Sequence, residues 1–316
     1  MIDQRAIDQT VFQPTNIAPH LSPSTVLDHL QFRSCETAIL PLLIEPNVFV
    51  EYLHHPKILI IDLSQSQTFA RAHVPGAFHL PYTRLIQGQP PAAGLLPELA
   101  QLETLLNDLG LSEDKHVVVY DDEGGGWAGR LIWTLDMLGH QHYSYLNGGI
   151  HAWLAEDLIV SKEITEPTPL ETKRHFTLHP EFQVDAKWII EHLNDREMVI
   201  WDARSHAEYL GTRVYAERGG HIPYARNYDW VLAMDRQRGL RLRELAVIEK
   251  ELAELGITGD KIIVTHCQTH HRSGLTYMIA KLLGWNRVKA YPGSLSEWGN
   301  HQDFPVETGE APSRSE

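Results

Sequence analysis

Cysteine is nearly missing from this chain of 316 residues: Cys35 and Cys267 are its only two. Two cysteines give no basis for a disulfide framework, so stability has to come from apolar packing. Cys35 falls in an N-terminal stretch that carries Pro14, Pro19 and Pro23, and it reads as incidental. Zinc sites combine spaced ligand pairs from separate segments, and no such Cys/His pairs occur, so no metal is expected. Long apolar runs are also lacking. Nothing approaches the roughly 20 apolar residues of a membrane span, and Met1 to Thr10 has no basic region followed by an apolar core. The expectation is a cytoplasmic protein with no membrane partner. Positive charge is short as well: 27 Lys and Arg against 41 Asp and Glu leave −14 with neutral histidine. That balance argues against nucleic acid as the main partner.

Hydrophobic residues make up 43% of the chain and charged residues 22%, ordinary values for a folded globular protein. The length suits two cores of roughly 100 to 150 residues each. The most informative stretch is Lys261-Ile-Ile-Val-Thr-His-Cys-Gln-Thr-His-His-Arg-Ser-Gly274, an apolar strand that runs into a cysteine and a short polar loop. From Leu275 to Gly284 apolar residues recur at helical spacing, so the amides of Gln268 to Gly274 lie at or near a helix N-terminus. Orphan amides and the positive end of the helix dipole favour an anion at the loop centre. Such settings can lower a thiol pKa from about 8.5 to between roughly 3.5 and 7.5. Cys267 is therefore a nucleophile candidate. His266, His270 and His271 read as loop side chains facing solvent or substrate, and protonated His270 or His271 would add positive charge in mild acid.

The chain repeats itself. Ile58-Leu-Ile-Ile-Asp62 parallels Met198-Val-Ile-Trp-Asp202, and each is followed by a His-apolar-Pro turn, at His73 to Ala77 and at His221 to Ala225. Leu105 to Tyr120 matches Leu252 to His266 as helix, Gly stop, polar turn and buried strand. Asn147 to Trp153 matches Tyr291 to Trp298 as a glycine turn with tryptophan beyond. Setting Lys115 opposite Lys261 puts Asp121 opposite Cys267, so the first copy has a carboxylate where the second has its thiol. The first loop also spells Gly124-x-Gly126-x-x-Gly129 after a strand, like a dinucleotide fingerprint. Asp121, Asp122 and Glu123 would repel a pyrophosphate, so these glycines read as the means of turning a non-catalytic loop into its helix.

A cysteine, four residues, then Arg272 and Ser273, all after a hydrophobic strand, resembles the active-site loop of the rhodanese sulfurtransferases. The resemblance covers about residues 47 to 310. It implies an α/β fold of two tandem rhodanese-like domains, each a parallel five-stranded sheet flanked by helices. The expected organisation is an N-terminal extension (1–46), a non-catalytic domain with Asp121 in place of Cys (47–160), a linker (161–180), a catalytic domain (181–310) and a tail (311–316). An inactive first copy with Asp at that position is common among tandem members.

The implied chemistry takes a sulfane sulfur onto Cys267 as a persulfide, without a cofactor, and hands it to a thiophilic acceptor. Gln268, Thr269, His270, His271, Arg272 and Ser273 would bind the donor and the persulfide anion. Asp202, Arg204 and Glu208 match the family's Asp-x-Arg-x-x-x-Glu-Tyr-x-Gly stretch and read as a charge network supporting the loop. Members acting on thiosulfate and mercaptopyruvate place an arginine near the Glu208 position; this chain has none there. The expected partners are a small-molecule donor, with thiosulfate preferred to 3-mercaptopyruvate, and cyanide or a thiol, including a thiol-containing protein, as acceptor. Two other readings stay open: a phosphatase or arsenate reductase on the same fold, whose loop carries one residue more, and a non-catalytic sulfur carrier or regulatory binding module.

Overall fold

The computed structural model describes residues 40–310. Cys35, most of the N-terminal extension and the 311–316 tail lie outside the described residues. Short apolar runs become parallel strands because both of their faces are covered, which removes any need for polar alternation. The first copy uses β1 (Leu43–Ile44), β2 (Ile58–Asp62), β3 (Phe78–His79), β4 (His116–Tyr120) and β5 (Tyr143–Leu146), in the order β1-β5-β4-β2-β3. All of its pairings are parallel, with Ile58 opposite His116 and Asp62 opposite Tyr120 in the central pair.

The second copy repeats the plan with β6 (Met198–Asp202), β7 (Arg226–Asn227), β10 (Ile262–His266) and β11 (Val288–Ala290), in the order β11-β10-β6-β7. It falls one strand short of the expected five. Where the fifth would lie, Gln183 makes a single parallel bridge to Ala290, and the Val184 amide donates to the Ala290 carbonyl at 2.8 Å. The reason is local: the helical turn Pro180–Phe182 ends just before it, and Asp185 already caps the next helix, Ala186–His192, by accepting from the Trp188 amide. Between β7 and β10 the chain makes a small antiparallel pair, β8 (Met234–Asp235) and β9 (Arg241–Leu242). This hairpin reaches the first copy, where the Leu242 amide donates to Asn147 Oδ1 at 2.8 Å and Arg241 Nε to Glu45 at 2.9 Å.

Each sheet carries an apolar cluster on its outer face, built around Phe49, Val118 and Trp153 in the first copy and around Ile189, Val264 and Trp298 in the second. The inner faces share one core. At its centre lie two helices that follow the equivalent loops, Gly126–Met137 and Arg272–Leu282. They cross at glycine on both sides. A Cβ on Gly129 would lie 2.3 Å from the Gly274 carbonyl oxygen, and one on Gly274 would lie 2.5 Å from the Arg130 nitrogen. Only glycine lets two backbones approach so closely, and the approach puts the two loops side by side. The segment 161–180 lies along the first copy, with the Ser161, Leu170 and Arg174 amides donating to His73 and Asn107. No helix among the described residues is long and apolar enough to cross a membrane.

Candidate active site

Strand β10 is central and pairs with β6 in register, so His266 lies opposite Asp202 at the C-terminal edge of the sheet. Cys267 follows at once, buried, and the helix Arg272–Leu282 begins five residues later. The loop between them folds around the sulfur because His270 takes a left-handed backbone, φ +54°. A second left-handed residue, Ser294 at φ +51°, backs the loop from the next turn. Its hydroxyl accepts from the Cys267 amide at 3.4 Å and the His270 amide at 3.1 Å, and donates to the Tyr291 carbonyl at 2.9 Å. The amides of Gln268, Thr269, His271 and Arg272 find no protein acceptor among the described residues. They lie in the loop that follows Cys267, and the Ser273 amide and hydroxyl bond the sulfur itself.

Burial alone would push the Cys267 thiol up. The Arg272 guanidinium, the amide and hydroxyl of Ser273 and the charge on His271 together outweigh it and bring the thiol below its usual value. Arg272 is itself fixed: its guanidinium donates to both oxygens of Glu208 at 2.7 and 2.8 Å, a two-point pairing of planar groups. Glu208 is also the N3 residue of the capping box that starts the helix His206–Tyr209 on Ser205. The absence of an arginine at Glu208 thus has a structural counterpart, since this carboxylate holds the loop arginine in place.

Asp202 and Arg204 form a second ion pair, buried beneath the loop. Arg204 Nε donates to Asp202 at 3.0 Å and Nη2 to the Gly220 carbonyl at 2.8 Å. Burial raises the Asp202 pKa, but Arg204 and His266 pull it down to about 2. These residues touch the loop from behind, through His266, whose Nδ1 donates to the Cys267 carbonyl at 3.2 Å.

Two of the histidines expected to face solvent or substrate are instead packed away. His266 and His270 are fully buried. Burial lowers the His266 pKa to about 4 and, helped by nearby Arg130, takes that of His270 well below its ordinary value, so both are neutral at pH 7. His270 is covered because the first copy lies on it: its ring stands edge-to-face on Trp133 at 4.6 Å, and its Nδ1 is 2.7 Å from Ser273 Oγ. Of the two rings expected to bring charge, only His271 is placed to do so. Its Nε2 lies 2.5 Å from Glu123 of the first copy and its ring stacks on Trp127 at 4.0 Å.

The first copy's loop has the same form but is filled from within. Asp121 Oδ1 accepts from the amides of Glu123 (3.1 Å), Gly124 (3.1 Å) and Gly125 (2.8 Å), and Oδ2 accepts from Ala128 (3.0 Å). Gly124 and Gly125, at φ +94° and +104°, make the turn that aims these amides inward. The expected reading of the glycine run as a loop-turning device agrees with this geometry. The four amides that could hold an anion there are already taken by Asp121.

Several site residues gave little or no signal in the sequence. Ser294 stands where the first copy has Gly149, also left-handed at φ +57°, so comparing the two copies would have marked it. Glu123, Trp127, Arg130 and Trp133 reach the second copy's loop only through the crossing of the two helices. Arg130 is wholly buried and donates to the carbonyls of Gly94 at 2.8 Å and Leu85 at 2.9 Å, and Gly94 in turn lies against Thr269.

A family model described as "Rhodanese-like domain" matches the chain twice, at residues 45–156 and 185–301. The thiosulfate sulfurtransferase of Azotobacter vinelandii is 52% identical over 270 residues, covering 85% of this chain and 98% of that protein. That of Pseudomonas aeruginosa is 49% identical over 268 residues, covering 85% and 97%. The 3-mercaptopyruvate sulfurtransferase of Escherichia coli is more distant, 27% identical over 81% of this chain and 94% of that protein. Among solved structures, the anaerobic ergothioneine biosynthesis enzyme of Chlorobium limicola superimposes with a TM-score of 0.76 at 22% identity, over 89% of this chain and 75% of that one.

Proposed function

The chain belongs to the rhodanese-like domain family, and from that premise we propose that it is a sulfurtransferase acting through Cys267 with thiosulfate as donor. The Cys267 thiolate attacks the outer sulfur of thiosulfate. A bond forms between the two sulfurs, the bond to the sulfonate sulfur breaks, and sulfite leaves with the electron pair. The product is a Cys267 persulfide anion, so the total charge is unchanged. Cyanide or a thiolate then attacks the terminal sulfur and leaves as thiocyanate or a persulfide, which restores the Cys267 thiolate. A thiol-containing protein is a fitting acceptor by the same chemistry.

The observation that carries this reading is a buried sulfur bonded by the amide and hydroxyl of Ser273, in a loop whose Gln268, Thr269, His271 and Arg272 amides have no protein acceptor among the described residues. Fixed amide dipoles beside a buried group stabilise an anion with no reorganisation, which suits the terminal sulfur of a persulfide. Arg272, committed to Glu208, keeps the loop in shape and supplies charge to the thiolate. The same commitment weighs against phosphate chemistry, which needs a wider loop and an arginine free to grip a second oxyanion.

Treatment with thiosulfate followed by intact-protein mass measurement tests the proposal. One added sulfur atom is expected, removed by cyanide and absent in Cys267→Ala. A wild-type protein that gains no mass, or a Cys267→Ala protein that still does, overturns it.

A further inference from the structure

The two copies also meet at the second loop, beside the helix crossing. His271 is held there on two sides by the first copy. Its Nε2–H donates to Glu123 Oε1 at 2.5 Å, and its ring lies nearly flat on Trp127, 4.0 Å away and inclined by 18°. Trp230, from the second copy, closes a third side edge-on at 5.6 Å. Space for the ring is made by Gly126, where a Cβ would lie 2.5 Å from His271 Nε2. Both members of the pair are mostly covered, with side-chain exposures of 20% and 23%. An acidic partner and an indole face favour an imidazolium over a neutral ring.

We infer that Glu123, supplied by the non-catalytic first copy, is a positioning residue for sulfur transfer: it keeps His271 charged and oriented beside Cys267, so the first copy contributes part of the field that holds the reactive anion. This rests on the sulfurtransferase reading of Cys267. The other charged groups around the ring do not replace Glu123. Arg272 opposes the charge on His271, Cys267 favours it, and His270 is neutral. On the first copy, Asp121 is turned inward onto its own amides. Burial disfavours the charged ring, yet Glu123 and the Cys267 thiolate outweigh it and raise the His271 pKa; His271 in turn lowers that of Cys267. The three groups titrate as a coupled set.

The sign follows. Below the raised His271 pKa the imidazolium supports the Cys267 thiolate; as pH rises through it, that support is lost. Glu123→Gln keeps an oxygen able to accept from Nε2–H but removes the charge, so it separates orientation from electrostatics. In the full-length protein, thiolate absorbance against pH, corrected with Cys267→Ser, should show the Cys267 midpoint rising by roughly half a unit in Glu123→Gln, a threefold loss of thiolate below the midpoint. Glu123→Asp should restore most of the shift. In a His271→Gln background, Glu123→Gln should change nothing further. The kcat/KM for thiosulfate should lose its alkaline limb at lower pH in Glu123→Gln than in wild type. Superimposable midpoints for wild type and Glu123→Gln, or an equal shift in the His271→Gln background, overturn the inference. Thiolate absorbance needs no sulfur donor, so it remains readable if the sulfurtransferase reading itself fails.

Discussion

Asp121 and Cys267 occupy the same place in two copies of one loop, and the loop asks different things of each. Four amides bond Asp121, yet burial and the neighbouring Glu123 carboxylate outweigh them and raise its pKa from 3.8 to about 6. The native state therefore binds more protons than the unfolded chain between those two values, and stability falls as pH rises across that window. For a shift of this size the change is on the order of 2 to 3 kcal/mol. Urea unfolding of wild type and Asp121→Asn between pH 4 and 6.5 should give curves that diverge in that sense, with the variant gaining on wild type as pH rises. Parallel curves would remove the argument. Cys267 shows the opposite balance, because Arg272, Ser273 and His271 overcome its burial.

At the scale of elements, the decisive contact is the crossing of Gly126–Met137 with Arg272–Leu282. Gly274→Ala gains about 1 kcal/mol in helix propensity. The added Cβ would meet backbone, 2.5 Å from the Arg130 nitrogen and 2.6 Å from the Gly126 carbonyl oxygen, so the neighbours cannot yield by rotating a side chain. Overpacking of that kind costs about 1–3 kcal/mol or more and wins. Thermal unfolding of Gly274→Ala should show a lower Tm, accompanied by a fall in kcat/KM as Ser273 and the loop move with the helix. An unchanged Tm would mean the helices separate freely. This crossing also marks the limit of what the sequence reveals. The strands, the glycine stops and the Cys267 loop were legible because each is written in a local period or spacing. The two-copy arrangement was legible from repetition. Pairings such as Arg272 with Glu208 or His271 with Glu123 join residues 64 and 148 positions apart and leave no periodic trace. The buried state of His270 was hidden for the same reason, since its cover, Trp133, belongs to the other copy.

At the scale of the whole molecule, the inner faces of the two copies form one core rather than two cores in contact. Leu275, Met278 and Ile279 of the second copy are fully buried, as are Leu131, Ile132 and Leu135 across from them. Fully burying one such side chain is worth about 1.5–3 kcal/mol, so dividing the chain would expose several of them at once. A fragment of residues 181–316 should self-associate or unfold without cooperativity, as size-exclusion chromatography and calorimetry would reveal. A monomeric fragment with a sharp transition would contradict the shared core. The same cut would deprive His271 of its partner.

The inward-turned carboxylate of Asp121 gives the duplicated fold an asymmetry written into its own chain. An anion reaching that chamber would meet a tethered competitor, joined to the wall by a single methylene and already bonded to four amides. Of two look-alike berths, one is thus filled by the chain's own side chain, with no need for a gate.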